Sequence, residues 1–269
     1  MISELSVPLS HEGSGAGGSV VLVHGLASAG RSWSAFTHQL PVDVSWRAVD
    51  LPGHGQSDRL AAYSFGELAL AVARVCDGMP APLTIIGHSL GGAVCLLVGS
   101  GLYGVTVSRV VALDSKVTWT RAEAERAAAV AAKPAKVFAT RDEALRFWQL
   151  VAGVPVGSAI DAELAADVVA DVEGGWSLRY DQAAAALGAA PMQKLVGLCP
   201  PETQVQLVRG KDDPLVPAGD TALAGALAPI TVAESGHSPH VERPAELARA
   251  LGFGLPPLTE TPSKVEYSL

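Results

Sequence analysis

The stretch Gly87-His88-Ser89-Leu90-Gly91 decides the fold of this chain. It follows a short apolar run, Leu83 to Ile86, and leads into a helix-prone segment, Gly91 to Gly99. A short apolar run that ends at glycine is typical of a buried strand, so the pentapeptide joins a strand to a helix. The glycines on either side of Ser89 permit a turn too sharp for side chains at those positions. The sequence therefore predicts a strained turn that lifts the Ser89 hydroxyl above a sheet.

Similar apolar runs along the chain predict further strands of one sheet. They are Val20 to Val23, Trp46 to Val49, Val110 to Leu113, Val205 to Val208 and Ile230 to Val232, with an edge strand within Ile2 to Leu9. Helical patterns separate these runs, at Trp33 to Leu40, Phe65 to Cys76, Pro217 to Leu227 and Val241 to Leu251. Strands that alternate with helices predict an α/β fold with a mostly parallel central sheet flanked by helices.

The alternation is interrupted after Asp114. From about Trp119 to Met192 the chain is rich in alanine and charged at intervals, with no convincing strand, which favours a helical insertion. We therefore expect a core formed by residues 1–115 and 193–252 and a helical cap at 116–192. Prolines and scattered polar residues in 253–269 predict a loose C-terminal tail.

Composition excludes several classes of protein. With 49% hydrophobic and 17% charged residues and a mean hydropathy of +0.30, the chain can bury a sizeable core. A net charge of −8, without any run of Lys or Arg, argues against a nucleic-acid partner. No stretch reaches the roughly 18 apolar residues of a membrane helix, and the N-terminus lacks the pattern of a signal peptide. We expect no membrane partner and a cytoplasmic location, while nothing in the sequence predicts an oligomeric state.

The three cysteines, Cys76, Cys95 and Cys199, lie far apart in apolar surroundings. They lack the paired spacing of zinc ligands or of a disulfide framework, and we interpret them as small buried side chains. No segment has the pattern of a nucleotide, flavin or metal site, so we expect no cofactor and no metal.

A serine at such a turn is a weak nucleophile unless a base activates it. Two histidines, His237 and His240, lie in the C-terminal region where a base is needed. At this point the sequence resembles the α/β-hydrolase superfamily. The resembling segments, in the family's order, are Val23-His24-Gly25, Asp50-Leu51-Pro52-Gly53-His54-Gly55-Gln56-Ser57, Gly87-His88-Ser89-Leu90-Gly91, Gly210-Lys211-Asp212-Asp213-Pro214 and Gly236-His237.

The resemblance, which spans about residues 19–251, implies the α/β-hydrolase fold with a helical cap inserted after the sixth strand. It also implies a triad of Ser89 as nucleophile, His237 as base and Asp213 as the acid that orients the base. His240 remains an alternative base. Asp114, at a position where some family members carry their acid, and Asp212 remain alternative acids.

The same resemblance implies an oxyanion hole formed by the backbone N–H groups of Leu26 and Leu90. For His24 it implies a bracing role in the loop that follows the first core strand. Of the aromatic residues in the insertion, we expect Trp119, Phe147 and Trp148 to reach the substrate pocket.

These residues together predict a serine hydrolase that cleaves a small to medium carboxylic ester, thioester or lactone through an acyl-enzyme. A small-molecule substrate is the partner this implies. Serine rather than aspartate at the turn argues against epoxide hydrolase or haloalkane dehalogenase chemistry. Two alternatives stay open: a non-hydrolytic enzyme of the same fold that carries out elimination or acyl transfer in a biosynthetic pathway, and a ligand-binding receptor or scaffold with little turnover.

Overall fold

A computed structural model describes residues 5–253 of the chain. Its strands are β1 Leu9–His11, β2 Ser19–Val23, β3 Ser45–Val49, β4 Leu83–His88, β5 Arg109–Leu113, β6 Val169–Val172, β7 Gly175–Leu178, β8 Gln204–Gly210 and β9 Ile230–Val232. Seven of them form one sheet in the order β1-β3-β2-β4-β5-β8-β9, in which only β1 is antiparallel to its neighbour. The predicted mostly parallel sheet is confirmed.

Helices connect and flank the strands. The α-helices are α1 Ser34–Thr37, α2 Phe65–Cys76, α3 Leu90–Gly99, α4 Arg121–Ala131, α5 Arg141–Ala152, α6 Ala162–Val168, α7 Met192–Leu198, α8 Pro239–Glu242 and α9 Pro244–Ala250. Short 3-10 helices cover Gly30–Trp33, Gln182–Leu187 and Ala218–Thr221. None of the helices in residues 5–253 is both long and apolar enough to cross a membrane.

The sheet divides its side chains between two apolar layers. Val21 and Ile85 pack on one face with α2, α3 and α7, whereas Leu22 and Ile86 pack on the other face with α1 and α9. This alternation follows from the period of two along a strand. Because the central strands are covered on both faces, they read as continuous apolar runs in the sequence.

Between β5 and β8 the chain leaves the sheet and forms α4 to α6, the hairpin β6-β7, a 3-10 helix and α7. The insertion follows the fifth strand rather than the sixth, because the described N-terminal residues contribute a single strand, β1. The expectation of no strand in the insertion is wrong. The hairpin turns at Gly174, whose φ of 85° suits glycine, and Val169 and Val172 supply the β-branched residues of its first strand.

Three predicted elements have other bounds in the structure. The edge strand is Leu9–His11 and begins after Pro8, which has no N–H to donate to a ladder; the predicted strand's residues 2–4 lie outside the described range. The helix predicted at 217–227 is only the 3-10 turn Ala218–Thr221, because glycines interrupt the segment. The last helix is broken into α8 and α9 at Pro244, which lacks an N–H. Of the predicted tail only residue 253 lies within the described residues.

This topology places several strand ends at one edge of the sheet. Ser89 directly follows β4, Asp114 directly follows β5, Asp213 comes three residues after β8, and His237 lies in the loop after β9. Because these strands are parallel and adjacent, their carboxyl ends bring the four residues to a common region.

Candidate active site

Ser89 occupies a strained position between β4 and α3. Its backbone has φ 51° and ψ −116°, a conformation that L-residues rarely adopt. The Ser89 N–H donates to the carbonyl oxygen of Leu113 at 2.8 Å, which ties the turn to β5. Although Ser89 is the N-cap residue of α3, its side chain makes no capping hydrogen bond. The hydroxyl therefore stays available for chemistry.

The surrounding glycines are required by close packing. A Cβ on Gly87 would lie 2.2 Å from the carbonyl oxygen of Gly91, and a Cβ on Gly91 would lie 2.5 Å from that of Val23. A Cβ on Gly25 would lie 3.1 Å from the Cβ of Ser89, so the loop after β2 also approaches the serine closely. The steric reason for the glycine pattern is thus the one inferred from the sequence.

His237 and Asp213 form a buried pair. The Nδ1 atom of His237 lies 2.8 Å from Oδ2 of Asp213, and the N–H of Leu215 donates to Oδ1 of the same carboxylate at 2.8 Å. Burial opposes ionisation of Asp213, but the hydrogen bond from His237 and the other donors outweigh it and lower the pKa of the carboxyl. Asp213 is therefore ionised at neutral pH and holds His237 with Nδ1 protonated and Nε2 free to accept a proton.

Ser89 and His237 line the same cavity, which has a volume of about 340 Å³. Within residues 5–253 no hydrogen bond joins the two side chains. In proteins without bound substrate such contacts are often long and shorten when substrate binds. The structure thus brings the predicted serine and histidine to one cavity and pairs the histidine with the predicted acid.

Two backbone N–H groups face this region without acceptors. Those of Leu26 and Leu90 donate to no group in the described part of the chain, and both residues line a cavity that also contains Ser89. The Leu90 N–H lies at the start of α3, where the helix dipole favours negative charge. These are the two N–H groups for which the resemblance implies an oxyanion hole.

The other histidines near the site are neutral structural groups. His24 donates from Nδ1 to the carbonyl oxygen of Gly25 at 2.7 Å and accepts the N–H of Leu51 at Nε2 at 2.9 Å, which braces the loop after β2. The Nε2 atom of His88 donates to the carbonyl oxygen of His237 at 2.7 Å. Burial lowers the pKa of both rings well below the usual value.

The alternative base and acids have other surroundings. His240 is buried against Trp33, with ring centroids 4.3 Å apart, and burial lowers its pKa to about 3. Asp212 has an exposed side chain, and Asp114 is buried with its Oδ1 atom accepting the N–H of Gly210 at 2.8 Å. The hydrogen bond to His237 is made by Asp213.

Two cavities meet at Ser89. Both are mostly apolar: the smaller, about 130 Å³, has Lys116 as its charged lining residue, and the larger has Glu123 and Arg126 in addition to Lys116. The smaller one is lined by Leu26, Phe65, Ser89, Leu90, Ala93, Ser115, Lys116, Trp119, Ala127, Ala184, Ala185, Gly188, Ala190 and Met192. The volume is similar to that of an engineered apolar cavity of about 150 Å³ that binds benzene.

The aromatic residues expected in the pocket have three different placements. Trp119 lines both cavities at Ser89. Phe147 lines a separate cavity within the insertion, which shares Leu26 with the other two. Trp148 lines no described cavity at Ser89, which corrects the expectation for that residue: it is fully buried, and its Nε1 donates to the carbonyl oxygen of Ala27 at 3.0 Å.

Several contacts around the site belong to no recognisable sequence motif. Ser115 donates from Oγ to the carbonyl oxygen of Ser89 at 2.8 Å, and its position just after β5 was the one available signal. The C-terminal end of α5 also meets the loop of His237. The hydroxyl of Ser238 donates to the carbonyl oxygen of Ala152, the last residue of α5, at 3.0 Å, and Gly153 packs against His237. Nothing in the residue pattern identifies these partners.

Among the described residues, one group has the spacing of a metal site, namely Asp114, Asp213 and His237. It coincides with the site described above. The 2.8 Å separation of His237 Nδ1 and Asp213 Oδ2 is that of a hydrogen bond, which a shared cation would have to replace.

Comparison with known proteins identifies the family. Residues 20–250 match the profile of the alpha/beta hydrolase family. Lipase LipV of Mycobacterium tuberculosis is 29% identical over 251 residues, which cover 88% of this chain and 93% of that protein. A pimeloyl-[acyl-carrier protein] methyl ester esterase of Methylococcus capsulatus is 41% identical over 85 residues, 32% of each chain.

The solved structure of E-2-(acetamidomethylene)succinate hydrolase superimposes with a TM-score of 0.70 at 21% identity, and covers 91% of this chain and 98% of its own. At that identity the likeness concerns the fold alone. The match of the family profile extends over most of the sequence, from β2 to α9. The chain therefore belongs to the alpha/beta hydrolase family.

Proposed function

We propose that this protein is a serine hydrolase that cleaves carboxylic esters through an acyl-enzyme. The observation that carries the proposal is the strained Ser89, whose hydroxyl is free and lines one cavity with His237, itself paired to Asp213 at 2.8 Å. The named relatives, a lipase and a methyl ester esterase, support ester chemistry.

In the proposed mechanism the Oγ atom of Ser89 attacks the carbonyl carbon of the ester. His237 accepts the hydroxyl proton at Nε2 as the new C–O bond forms, and the negative charge on the carbonyl oxygen is stabilised by the N–H groups of Leu26 and Leu90. The imidazolium then protonates the departing alkoxide as the C–O bond to it breaks. Water then attacks the carbonyl carbon of the acyl-enzyme while His237 accepts its proton. The imidazolium returns a proton to Oγ of Ser89 as the bond to the acyl group breaks, which releases the carboxylic acid product and restores Ser89.

Asp213 makes no bond to substrate in this mechanism. It fixes the His237 tautomer with the proton on Nδ1 and stabilises the imidazolium that forms at each step. Its lowered pKa keeps it charged across the neutral range, so the stabilisation is present whenever His237 can act as a base.

The cavities suggest how the two halves of the substrate are placed. The smaller apolar cavity of about 130 Å³ suits an acyl group of roughly four to six carbon atoms, by analogy with the similar cavity that holds benzene. The larger one, which is lined by Glu123 and Arg126 besides the Lys116 that both cavities share, suits an extended leaving group with a polar part.

The proposal is tested with a series of p-nitrophenyl esters of increasing acyl length. We expect kcat/KM to pass through a maximum at a short acyl chain, and Ser89→Ala to lower kcat at least a thousandfold, on the order of the loss of a triad nucleophile, without loss of the fold. Ser100→Ala is the control and should keep the wild-type kcat, since Ser100 is the C-cap residue at the opposite end of α3 and its hydroxyl donates to the carbonyl oxygen of Leu97. Turnover by Ser89→Ala at the wild-type rate would contradict the proposal.

A further inference from the structure

Asp114 is a buried carboxyl group with no part in the mechanism proposed above. It directly follows β5, and its backbone has a φ of 44°, which is rare for a residue other than glycine. Its N–H donates to the carbonyl oxygen of Val208 at 2.8 Å, and its Oδ1 accepts the N–H of Gly210 at 2.8 Å. These contacts hold the side chain, which is fully buried, at a fixed place beside the loop of Asp213.

The Asp114 carboxyl lies beside that of Asp213. An oxygen of each carboxyl and a ring nitrogen of His237 all lie within 4.8 Å of one another. The Oδ2 atom of Asp114 receives no hydrogen bond from any donor in residues 5–253. Two ionised carboxylates this close together and shielded from water repel each other, which favours protonation of one of them.

The neighbouring donors decide which carboxyl keeps the proton. Asp213 accepts hydrogen bonds from His237 and from the N–H of Leu215, and both favour its ionised form. Among the donors in residues 5–253, Asp114 accepts the N–H of Gly210 alone. Burial, followed by the contact with Asp213, raises the pKa of Asp114 to about 10, while the pKa of Asp213 is lowered.

One cation also faces this pair. Arg209 is buried on β8, but its guanidinium donates to backbone carbonyl oxygens, those of Val216, Lys211 and Asp213, rather than to the Asp114 side chain. Its charge favours ionisation of Asp114, but less than burial and Asp213 oppose it. The titratable and charged groups around Asp114 are therefore Asp213, His237 and Arg209.

We propose that Asp114 is a positioning residue: as a neutral carboxylic acid it donates an Oδ2–H hydrogen bond to Asp213, which keeps that carboxylate ionised and aimed at Nδ1 of His237. This inference rests on the proposed function for its effect on turnover. When Asp114 is neutral, Asp213 carries the single negative charge opposite the imidazolium. The Asp114 hydroxyl then gives Asp213 a hydrogen-bond donor in addition to the Leu215 N–H.

The first test uses Asp114→Asn, which is neutral and of the same shape. The asparagine Oδ1 can accept the N–H of Gly210 while its Nδ2 donates to Asp213, so the variant reproduces the proposed hydrogen bonds. We expect kcat for the preferred p-nitrophenyl ester to stay within about twofold of wild type and the acidic limb of kcat/KM to stay at the same pH. If Asp114 were instead ionised, Asp114→Asn would remove a negative charge near His237 and shift that limb to lower pH, which would overturn the proposal.

The second test removes the donor. Asp114→Leu deprives Asp213 of it, and we expect kcat to fall about tenfold or more with KM little changed. Wild-type turnover by this variant would overturn the proposal. Asp114→Leu also removes the acceptor of the Gly210 N–H, and this loss alone could unfold the variant. The third test therefore uses only wild type and Asp114→Asn.

Infrared difference spectra of wild type and Asp114→Asn at neutral pH detect the proton directly. We expect the carbonyl band of a protonated carboxylic acid in the wild type and its loss in the variant, a signature that an ionised Asp114 would not give. Absence of the band from the wild type would overturn the proposal. The spectra need no substrate, so they separate failure of this inference from failure of the proposed ester hydrolysis.

Discussion

The indole nitrogen of Trp148 lies 3.0 Å from the carbonyl oxygen of Ala27 and donates a hydrogen bond to it. Ala27 has a φ of 59°, unusual for alanine, and it directly follows Leu26, whose N–H has no acceptor within residues 5–253. Trp148 belongs to α5, in the insertion between β5 and β8. A residue of the insertion thus holds the strained loop that carries one proposed oxyanion donor.

We predict that Trp148→Phe lowers kcat about three- to tenfold, the effect of one lost hydrogen bond on the placement of the Leu26 N–H. KM should change little, because the indole does not line the cavities at Ser89. Steady-state kinetics on the preferred ester checks this. Trp176→Phe is the control, since Trp176 lies in the β6-β7 hairpin of the same insertion. Equal kcat in both variants and wild type would refute a role for Trp148.

The other end of α5 reaches His237. Gly153 caps the helix with a φ of 67°, and a Cβ at this position would lie 2.6 Å from the Cβ and Cδ2 atoms of His237. We predict that Gly153→Ala lowers kcat at least tenfold, because the imidazole must shift relative to Ser89, and destabilises the fold by about 1–3 kcal/mol through backbone strain.

Gly157→Ala provides the matched control for this substitution. Gly157 also has a positive φ, 91°, but a Cβ there meets no atom within 4 Å. Backbone strain should therefore lower the free energy of unfolding of both variants. Only Gly153→Ala should also lower kcat, because only its added Cβ meets His237. Thermal unfolding and steady-state kinetics separate the two effects. A similar loss of kcat in both variants would show that contact with His237 is irrelevant.

The size of the acyl group can be changed from the 3-10 helix Gln182–Leu187. Ala185 is buried and lines the smaller cavity, so Ala185→Leu places three additional carbon atoms in a volume of about 130 Å³. We predict that the variant prefers a shorter acyl chain. The ratio of its kcat/KM for the ester that the wild type prefers to its kcat/KM for p-nitrophenyl acetate should fall about tenfold or more. The p-nitrophenyl series measures both. Ala186→Leu, on the exposed side of the same helix, should keep the wild-type profile; an unchanged profile in Ala185→Leu would place the acyl group elsewhere.

Stability should depend on pH through Asp114. Its pKa is raised to about 10 in the folded protein, whereas an unfolded aspartate ionises near pH 4. Between these values the folded state binds one more proton, so raising the pH lowers the free energy of unfolding, by at most about 1.4 kcal/mol per pH unit. Asparagine cannot ionise and has no such dependence.

We therefore predict that the free energy of unfolding of Asp114→Asn, minus that of wild type, increases from about pH 5 to about pH 9. Urea unfolding at several pH values measures this difference, and other groups that titrate are common to both proteins. A difference that stays constant with pH would mean that Asp114 has the same ionisation state in the folded and unfolded protein.

Much of the fold followed from local patterns. The buried strands around β4 are continuous apolar runs because both faces of the sheet are covered, and the ends of α2 match the predicted Phe65–Cys76. The hairpin β6-β7 escaped prediction because alanine-rich surroundings dominate the average composition there. The helix expected after Pro217 did not form beyond one turn, where glycines outweigh the apolar content.

The site shows the same division. Ser89 is indicated by its own motif, a turn between a strand and a helix, whereas Asp213 and His237 are indicated by the resemblance of their segments to those of the family. The contacts of Trp148 with Ala27 and of Asp114 with Asp213 join residues distant in sequence, and only the three-dimensional arrangement brings them together. Aromatic content favours Trp148 as a pocket residue. It does not tell which side of α5 faces the substrate, so the prediction for Trp148 is wrong.

The central claim is that Ser89 forms an acyl-enzyme, and trapping that intermediate tests it most directly. The protein is mixed with the preferred p-nitrophenyl ester, quenched with acid within the burst phase, and examined by intact mass and by peptide mapping, with Ser89→Ala treated identically. The account predicts a single acyl adduct on the peptide that contains Ser89, and none in the variant. Normal release of p-nitrophenol by the wild type with no adduct on that peptide would contradict the account. The same acyl adduct in Ser89→Ala would contradict it as well.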